Sequence, residues 1–115
     1  MGESGARGDL QARLREPTRL AELVSYQQGG VVSRALLARD TGTVTLFAFG
    51  AGQGLSEHTA PYDALVVLLE GEADLTVSGR PFHLRAGDTL LMPAGEPHAL
   101  RAPVPFKMLL VMLRS

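Results

Sequence analysis

The sequence predicts an all-β domain, a small barrel or sandwich behind a short helical lead-in. Three observations carry that expectation. Beyond Gly30, β-branched and aliphatic residues come in short runs parted by Gly, Pro and Asp at intervals of roughly ten residues. Several runs alternate apolar with polar residues, as Ala73, Leu75 and Val77 do against Glu72, Asp74, Thr76 and Ser78, the period of a strand with one wet face. With 115 residues, 45% hydrophobic and 20% charged, the chain has material for one globular core and no room for a second domain.

Taken in order, residues 1–17 are polar, contain Gly and close at Pro17. Leu10 and Leu14 stand at helical spacing behind Asp9 as a cap, so this stretch reads as an N-terminal arm, either flexible or a short surface helix. Residues 18–115 read as a single barrel domain. It starts with Leu20, Leu23 and Val24, one or two helical turns capped by Thr18 and stopped by Gly29-Gly30. The expected strands are Val31 to Ala38, Thr43 to Gly50, Leu55 to His58, Leu65 to Glu70, Ala73 to Ser78, Phe82 to Arg85, Thr89 to Met92, His98 to Ala102 and Phe106 to Leu113.

Two of these break the alternation. Leu65 to Leu69 and Met108 to Leu113 are apolar on both faces, so both faces need cover. The economical cover is a second copy of the chain, and a sheet-to-sheet homodimer is expected. The alternative is the N-terminal segment folding back over one of the faces.

Charge and composition exclude several functions. A formal charge of -1 supplies no field to gather phosphate backbones or anionic lipid, so no nucleic acid and no membrane partner is expected. No apolar run approaches the ~18 residues a membrane span needs, and MGESGARGDL lacks the apolar stretch of a secretory signal. The expected location is cytoplasmic. The absence of Cys removes disulfides, thiolate metal sites and cysteine nucleophiles.

Chemistry concentrates in Gly52 to Glu72 and in Gly87 to Leu100. Gly71 and Gly87-Asp88 suit the positive φ of tight hairpins, while Pro93 and Pro97 stiffen a corner ahead of a strand whose first side chain must point inward. The second stretch, GDTLLMPAGEPHAL, resembles the second motif of the cupins: Gly, five residues, Pro, any, Gly, two residues, His, met by Gly87, Pro93, Gly95 and His98. The first resembles the first cupin motif, with Gly52 before His58 and Gly71 in the later hairpin. The chain is therefore similar to the small single-domain conserved-barrel cupins of the cupin 2 type, from about Val31 onward. That resemblance implies a double-stranded β-helix, a jelly-roll-like barrel whose inward positions converge on a cavity.

The metal-binding members that the chain resembles hold a divalent ion with His, any, His and Glu from the first motif and one His from the second. Carried over, His58 and His98 keep two positions, while Ala60 and Ala64 occupy the other two, so the first metal motif is degenerate. What this implies is at most a weakly bound divalent metal on His58 and His98, with no cofactor certain. Asp63 is the nearest acid able to restore a ligand or to orient His58, though an Asp after Pro-Tyr is also a common turn residue. Tyr62, at the expected barrel mouth, offers a hydroxyl to a ligand. Met92, Met108 and Met112 carry soft sulfur but read first as core. His83, alternating with Arg85, is expected to face solvent without a role.

Two functions from different classes follow. One is a small-molecule-binding barrel with a largely apolar pocket, in which His58, His98, Tyr62 and Asp63 are the ligand-binding residues and no enzyme activity is required. The other is a cupin enzyme of dioxygenase, decarboxylase or isomerase type, metal-dependent or metal-free, using His58 and His98. A structural or regulatory subunit is a third reading. Phe47, Phe49, Val66 and Leu68 are candidate apolar pocket walls.

Overall fold

A computed structural model of the chain describes residues 10–114. The expected Asp9 cap and the start of the arm lie outside them. Nine strands form: β1 Val31–Arg39, β2 Gly42–Phe49, β3 Gly54–His58, β4 Tyr62–Glu70, β5 Glu72–Val77, β6 Arg80–Arg85, β7 Thr89–Met92, β8 His98–Arg101 and β9 Phe106–Arg114. Each coincides with one of the nine expected strands, the ends moving by no more than a few residues.

The strands assemble into two antiparallel sheets, one ordered β1-β2-β9-β4-β7 and the other β3-β8-β5-β6. Each strand lays alternate side chains between the sheets. The interior is filled by Phe49, Val66, Leu68, Leu75, Phe106 and Met108, all essentially inaccessible to water. Phe49 and Phe106 stack with ring centroids 4.6 Å apart. This is the all-β barrel the strand rhythm predicts, in the jelly-roll-like form that the motif resemblance implies.

The two-sided apolar strands β4 and β9 sit side by side in the five-stranded sheet. Over part of their outer face the N-terminal segment does fold back: Leu10, Leu23 and Val24 are buried against Leu46, Ala48, Leu69 and Leu109. Polar clips hold it there. Arg34 Nη1 donates to the Leu23 carbonyl at 2.9 Å, Lys107 Nζ to that of Ala21 at 2.7 Å, and the Tyr26 hydroxyl to Glu70 at 2.6 Å. Burial, and then the Glu70 carboxylate, push the Tyr26 phenol well above its ordinary range.

One local expectation is corrected. Thr18 does not cap the turn that follows; the Leu20–Leu23 3₁₀ turn begins after Arg19 without a side-chain cap. The Thr18 hydroxyl reaches backward instead, donating at 2.5 Å to the carbonyl of Arg13 and lying 2.9 Å from that of Glu16. Pro17 explains the change: it ends the helical residues 10–14 before they run on, and Thr18 satisfies the carbonyls left open there. No helix among the described residues is long and apolar enough to cross a membrane.

Candidate functional site

The site grows from one irregularity in β3. Leu55 pairs with Leu100 of β8, but the next matched pair is His58 with His98, three residues on along one strand and two along the other. A regular strand would turn Leu55 and His58 to opposite faces. The bulge reverses that parity and brings both to the cavity side. His58 and His98 therefore lie as cross-strand neighbours, ring centroids 4.3 Å apart and 67° between planes.

Both rings are oriented by their own strands. The His58 Nδ1 lies 2.8 Å from the Ser56 carbonyl and the His98 Nδ1 3.2 Å from the Glu96 carbonyl. A carbonyl only accepts, so each Nδ1 carries the proton, and in the neutral ring each Nε2 is left with a free lone pair. Neither Nε2 has a hydrogen-bond partner among the described residues.

The two rings edge a cavity of about 60 Å³ whose remaining walls are apolar: Leu55, Ala60, Ala64, Met92, Leu100, Met108, Leu110 and Met112. His98 is buried while His58 stands exposed at the rim. The four apolar walls expected at Phe47, Phe49, Val66 and Leu68 do not line it. They share its parity but lie farther along their strands, where they close the packed end of the barrel.

Asp63 lies outside the cavity lining. It sits one residue out of phase with Ala64 on β4, and its Oδ1 accepts the Ala94 N–H at 2.9 Å. Beside it, the Gly95 N–H donates to the Ala60 carbonyl at 2.9 Å. These two bonds fasten the loop after His58 to the loop before His98. Asp63 is thus engaged with the backbone before His98, while the His58 ring is held by the Ser56 carbonyl.

Tyr62 borders a second hollow of about 230 Å³ at the same end of the barrel, lined also by Arg39, Asp40, Gly42, Thr43, Met112 and Arg114. Met112 belongs to both spaces. The Arg114 guanidinium lies 5.9 Å from the centre of the Tyr62 ring, and the Thr43 hydroxyl is buried without a hydrogen-bond partner. Thr43 and Arg114 escape a motif search. Parity is the signal that finds them, since Arg114 continues the inward series Met108, Leu110, Met112, and Thr43 pairs with Met112.

His83 does face solvent, yet it is clamped. Its Nδ1 lies 2.6 Å from Asp74 and its Nε2 2.6 Å from Glu72. Asp74 first and Glu72 second raise its pKa above the ordinary histidine value.

The donor set does not fit the divalent ion that the resemblance implies. Among the described residues no three His, Asp or Glu side chains gather closely enough to hold a metal. Where further ligands would stand, Ala60 and Ala64 present methyl groups to the cavity.

A two-sheet antiparallel barrel, with a histidine pair set on two neighbouring strands over an apolar hollow, defines a small cupin-type barrel. The comparison with known sequences agrees, the cupin domain family matching residues 45–112. The chain belongs to that family. It is also similar to a conserved protein of unknown function from Streptococcus pyogenes, at 36% identity and TM-score 0.83 over 87% of this chain and 88% of that one. A cupin superfamily protein from Desulfitobacterium hafniense is 34% identical, with TM-score 0.83 over 87% and 92% of the two chains. A cupin 2 conserved barrel domain protein from Leptotrichia buccalis is 42% identical, with TM-score 0.80 over 83% of this chain and 46% of that one. No functionally curated protein matches the chain.

Proposed function

We propose that this cupin barrel binds a small organic molecule through the His58–His98 pair, without a resident divalent metal. The observation that carries the reading is the tautomer set by Ser56 and Glu96. Two fixed imidazoles present acceptor lone pairs to a hollow whose other walls are apolar, so an entering group gains most if it donates a hydrogen bond and is otherwise nonpolar.

Size limits what enters. About 60 Å³ is room for roughly two waters at ~30 Å³ each, well below the ~300 Å³ and more of a pocket that encloses a whole ligand. Only one end of the molecule occupies the inner hollow. The rest extends past Met112 into the mouth, where the Thr43 hydroxyl, Tyr62 and Arg114 suit a polar or anionic end.

The competing reading, a cupin enzyme using the same two histidines, draws no support from a catalytic carboxylate. Asp63 is engaged with Ala94 and meets neither ring. The test is a ligand-observed NMR screen of short hydroxy and keto acids alongside their uncharged amides, run on the wild type and on a His58→Ala, His98→Ala double variant. Binding to the wild type that the double variant loses supports the proposal. No hit on the wild type, or hits the double variant keeps, overturns it.

A further inference from the structure

Soft donor atoms concentrate at the hollow beneath the histidine pair. Three of the chain's four methionines, Met92, Met108 and Met112, border this one space together with two of its three histidines. Methionine fills gaps in many cores, yet the packed end of this barrel is built from Phe49, Val66, Leu68, Leu75 and Phe106. Met108 belongs to that core, 1% exposed. Met92 and Met112 are placed differently. They are the cross-strand neighbours of Ala64 on its two sides, so the five-stranded sheet presents a thioether, a methyl group and a second thioether in a row. The histidine pair stands on the other, four-stranded sheet. Two imidazoles on one wall thus share the hollow with two thioethers on the other.

We propose that this arrangement is a site for a soft monovalent cation, copper(I), held by the Nε2 atoms of His58 and His98 and the sulfurs of Met92 and Met112. It differs from the divalent site that the resemblance implies in both donor class and charge. Each Nδ1 is engaged with a carbonyl, so each Nε2 brings a lone pair and no charge. The thioethers are neutral as well. The cost of desolvating an ion rises with the square of its charge, and a donor set without an anion offsets it far better for a monovalent ion than for a divalent one. Thioether sulfur selects copper(I) and imidazole suits copper, whereas Mg²⁺, Ca²⁺ and Mn²⁺ call for oxygen ligands.

The space agrees with the charge. A hollow of about 60 Å³ admits an ion stripped of its water and excludes its hydration shell. The three rotatable bonds of each methionine let both sulfurs close on one point from the strands flanking β4. His58, exposed at the rim, is the point of entry, and His98 lies buried behind it. Binding changes no oxidation state: the ion arrives as copper(I) and leaves its carrier ligands behind. Copper(I) and the organic molecule proposed above compete for the same two lone pairs, but only the ion requires sulfur, so the two readings fail separately.

The test is anaerobic titration of the full chain with copper(I), supplied as its acetonitrile complex against a chromophoric copper(I) chelator. It is run on the wild type, on a Met92→Leu, Met112→Leu double variant and on the His58→Ala, His98→Ala double variant. Leucine nearly conserves the volume of methionine, so the methionine variant keeps its fold, as circular dichroism melts establish. The expected result is one ion per chain in the wild type and none at this site in the histidine variant. Affinity in the methionine variant should fall by more than the ~10–100-fold that loss of an outer-sphere partner costs. In wild type with methyl-labelled methionine, the ε-methyl resonances of Met92 and Met112 should shift on adding the ion. Copper(I) binding lost from a methionine variant that still takes up the organic ligand supports the proposal. A wild type without a one-to-one site overturns it, as does a methionine variant that binds copper(I) as tightly as the wild type.

Discussion

Gly71 and Gly79 are turn glycines with nearly the same backbone, φ +81° and +79°, but only Gly79 closes a hairpin, β5–β6; the hairpin expected at Gly71 is instead the corner that carries the chain from β4 in one sheet to β5 in the other. Their surroundings differ. A Cβ on Gly79 would meet nothing within 4 Å, whereas one on Gly71 would run into the Pro105 carbonyl oxygen and approach Phe106 Cα to 2.8 Å. Alanine at Gly79 therefore carries only the left-handed backbone cost, ~1–2 kcal/mol. Alanine at Gly71 adds displacement of the start of β9, where Phe106 is fully buried on Phe49. Overpacking of that kind costs a further ~1–3 kcal/mol, for a total of roughly 2–5 kcal/mol. The entropy that Gly→Ala removes from the unfolded chain is common to both variants and cancels in the comparison. At about 3–5 °C per kcal/mol for a chain of this size, Gly79→Ala should melt ~3–10 °C below the wild type and Gly71→Ala ~6–25 °C below it, always the lower of the two. Differential scanning calorimetry of the three proteins reads the gap directly. Equal melting of the two variants would refute the idea that the β4–β5 corner is pressed against β9.

Three further outcomes follow from the same geometry. Zn²⁺ or Mn²⁺ at stoichiometric concentration should leave the wild-type melting temperature unmoved. An Ala60→His, Ala64→Glu variant should be destabilised by on the order of 2–4 kcal/mol without metal and recover on adding it; a wild type that gains as much as the variant would refute the fit argument. Asp63→Ala should cost about 1 kcal/mol through the freed Ala94 N–H while shifting the imidazole resonances of both His58 and His98, and unchanged resonances would show that the loop fastening does not set the pair. His83 titrates higher in the folded chain than in the unfolded one, so the stability it adds is full below its unfolded value of 6.5 and is lost as pH rises through the elevated folded value. Chemical denaturation from pH 6 to 9 should show that decline in the wild type and not in His83→Gln.

The strands were legible because turn chemistry and alternation act within a few residues. All nine appear where Gly, Pro and Asp punctuate the chain, and β7 runs from Thr89 to Met92 as expected. His58 and His98 were legible as a pair through motif spacing, but the reason they meet was not. The bulge between Leu55 and His58 is a property of pairing with β8, and no local pattern announces it. Asp63 shows the same boundary. Its neighbours in sequence suggested either a turn or a dyad, while its actual partner, Ala94, is 31 residues away. The small volume of the hollow was equally hidden. Beside the small Ala64, its cross-strand neighbours Met92 and Met112 take up the space, and both come from strands distant in sequence.

The hollow and the outer apolar face are two sides of the same three strands. Ala64 lines the hollow while Leu65 points outward; Met112 and Val111 divide the same way on β9, as do Met92 and Leu91 on β7. Because side chains alternate with a period of two, whatever fixes the outward residues also fixes the backbone that sets the inward ones. An outward substitution should therefore reach the floor beneath the histidine pair: Leu65→Arg, in folded protein, should shift the imidazole resonances of His58 and His98 relative to the wild type. Unchanged resonances would show that the sheet is stiff enough to isolate its faces.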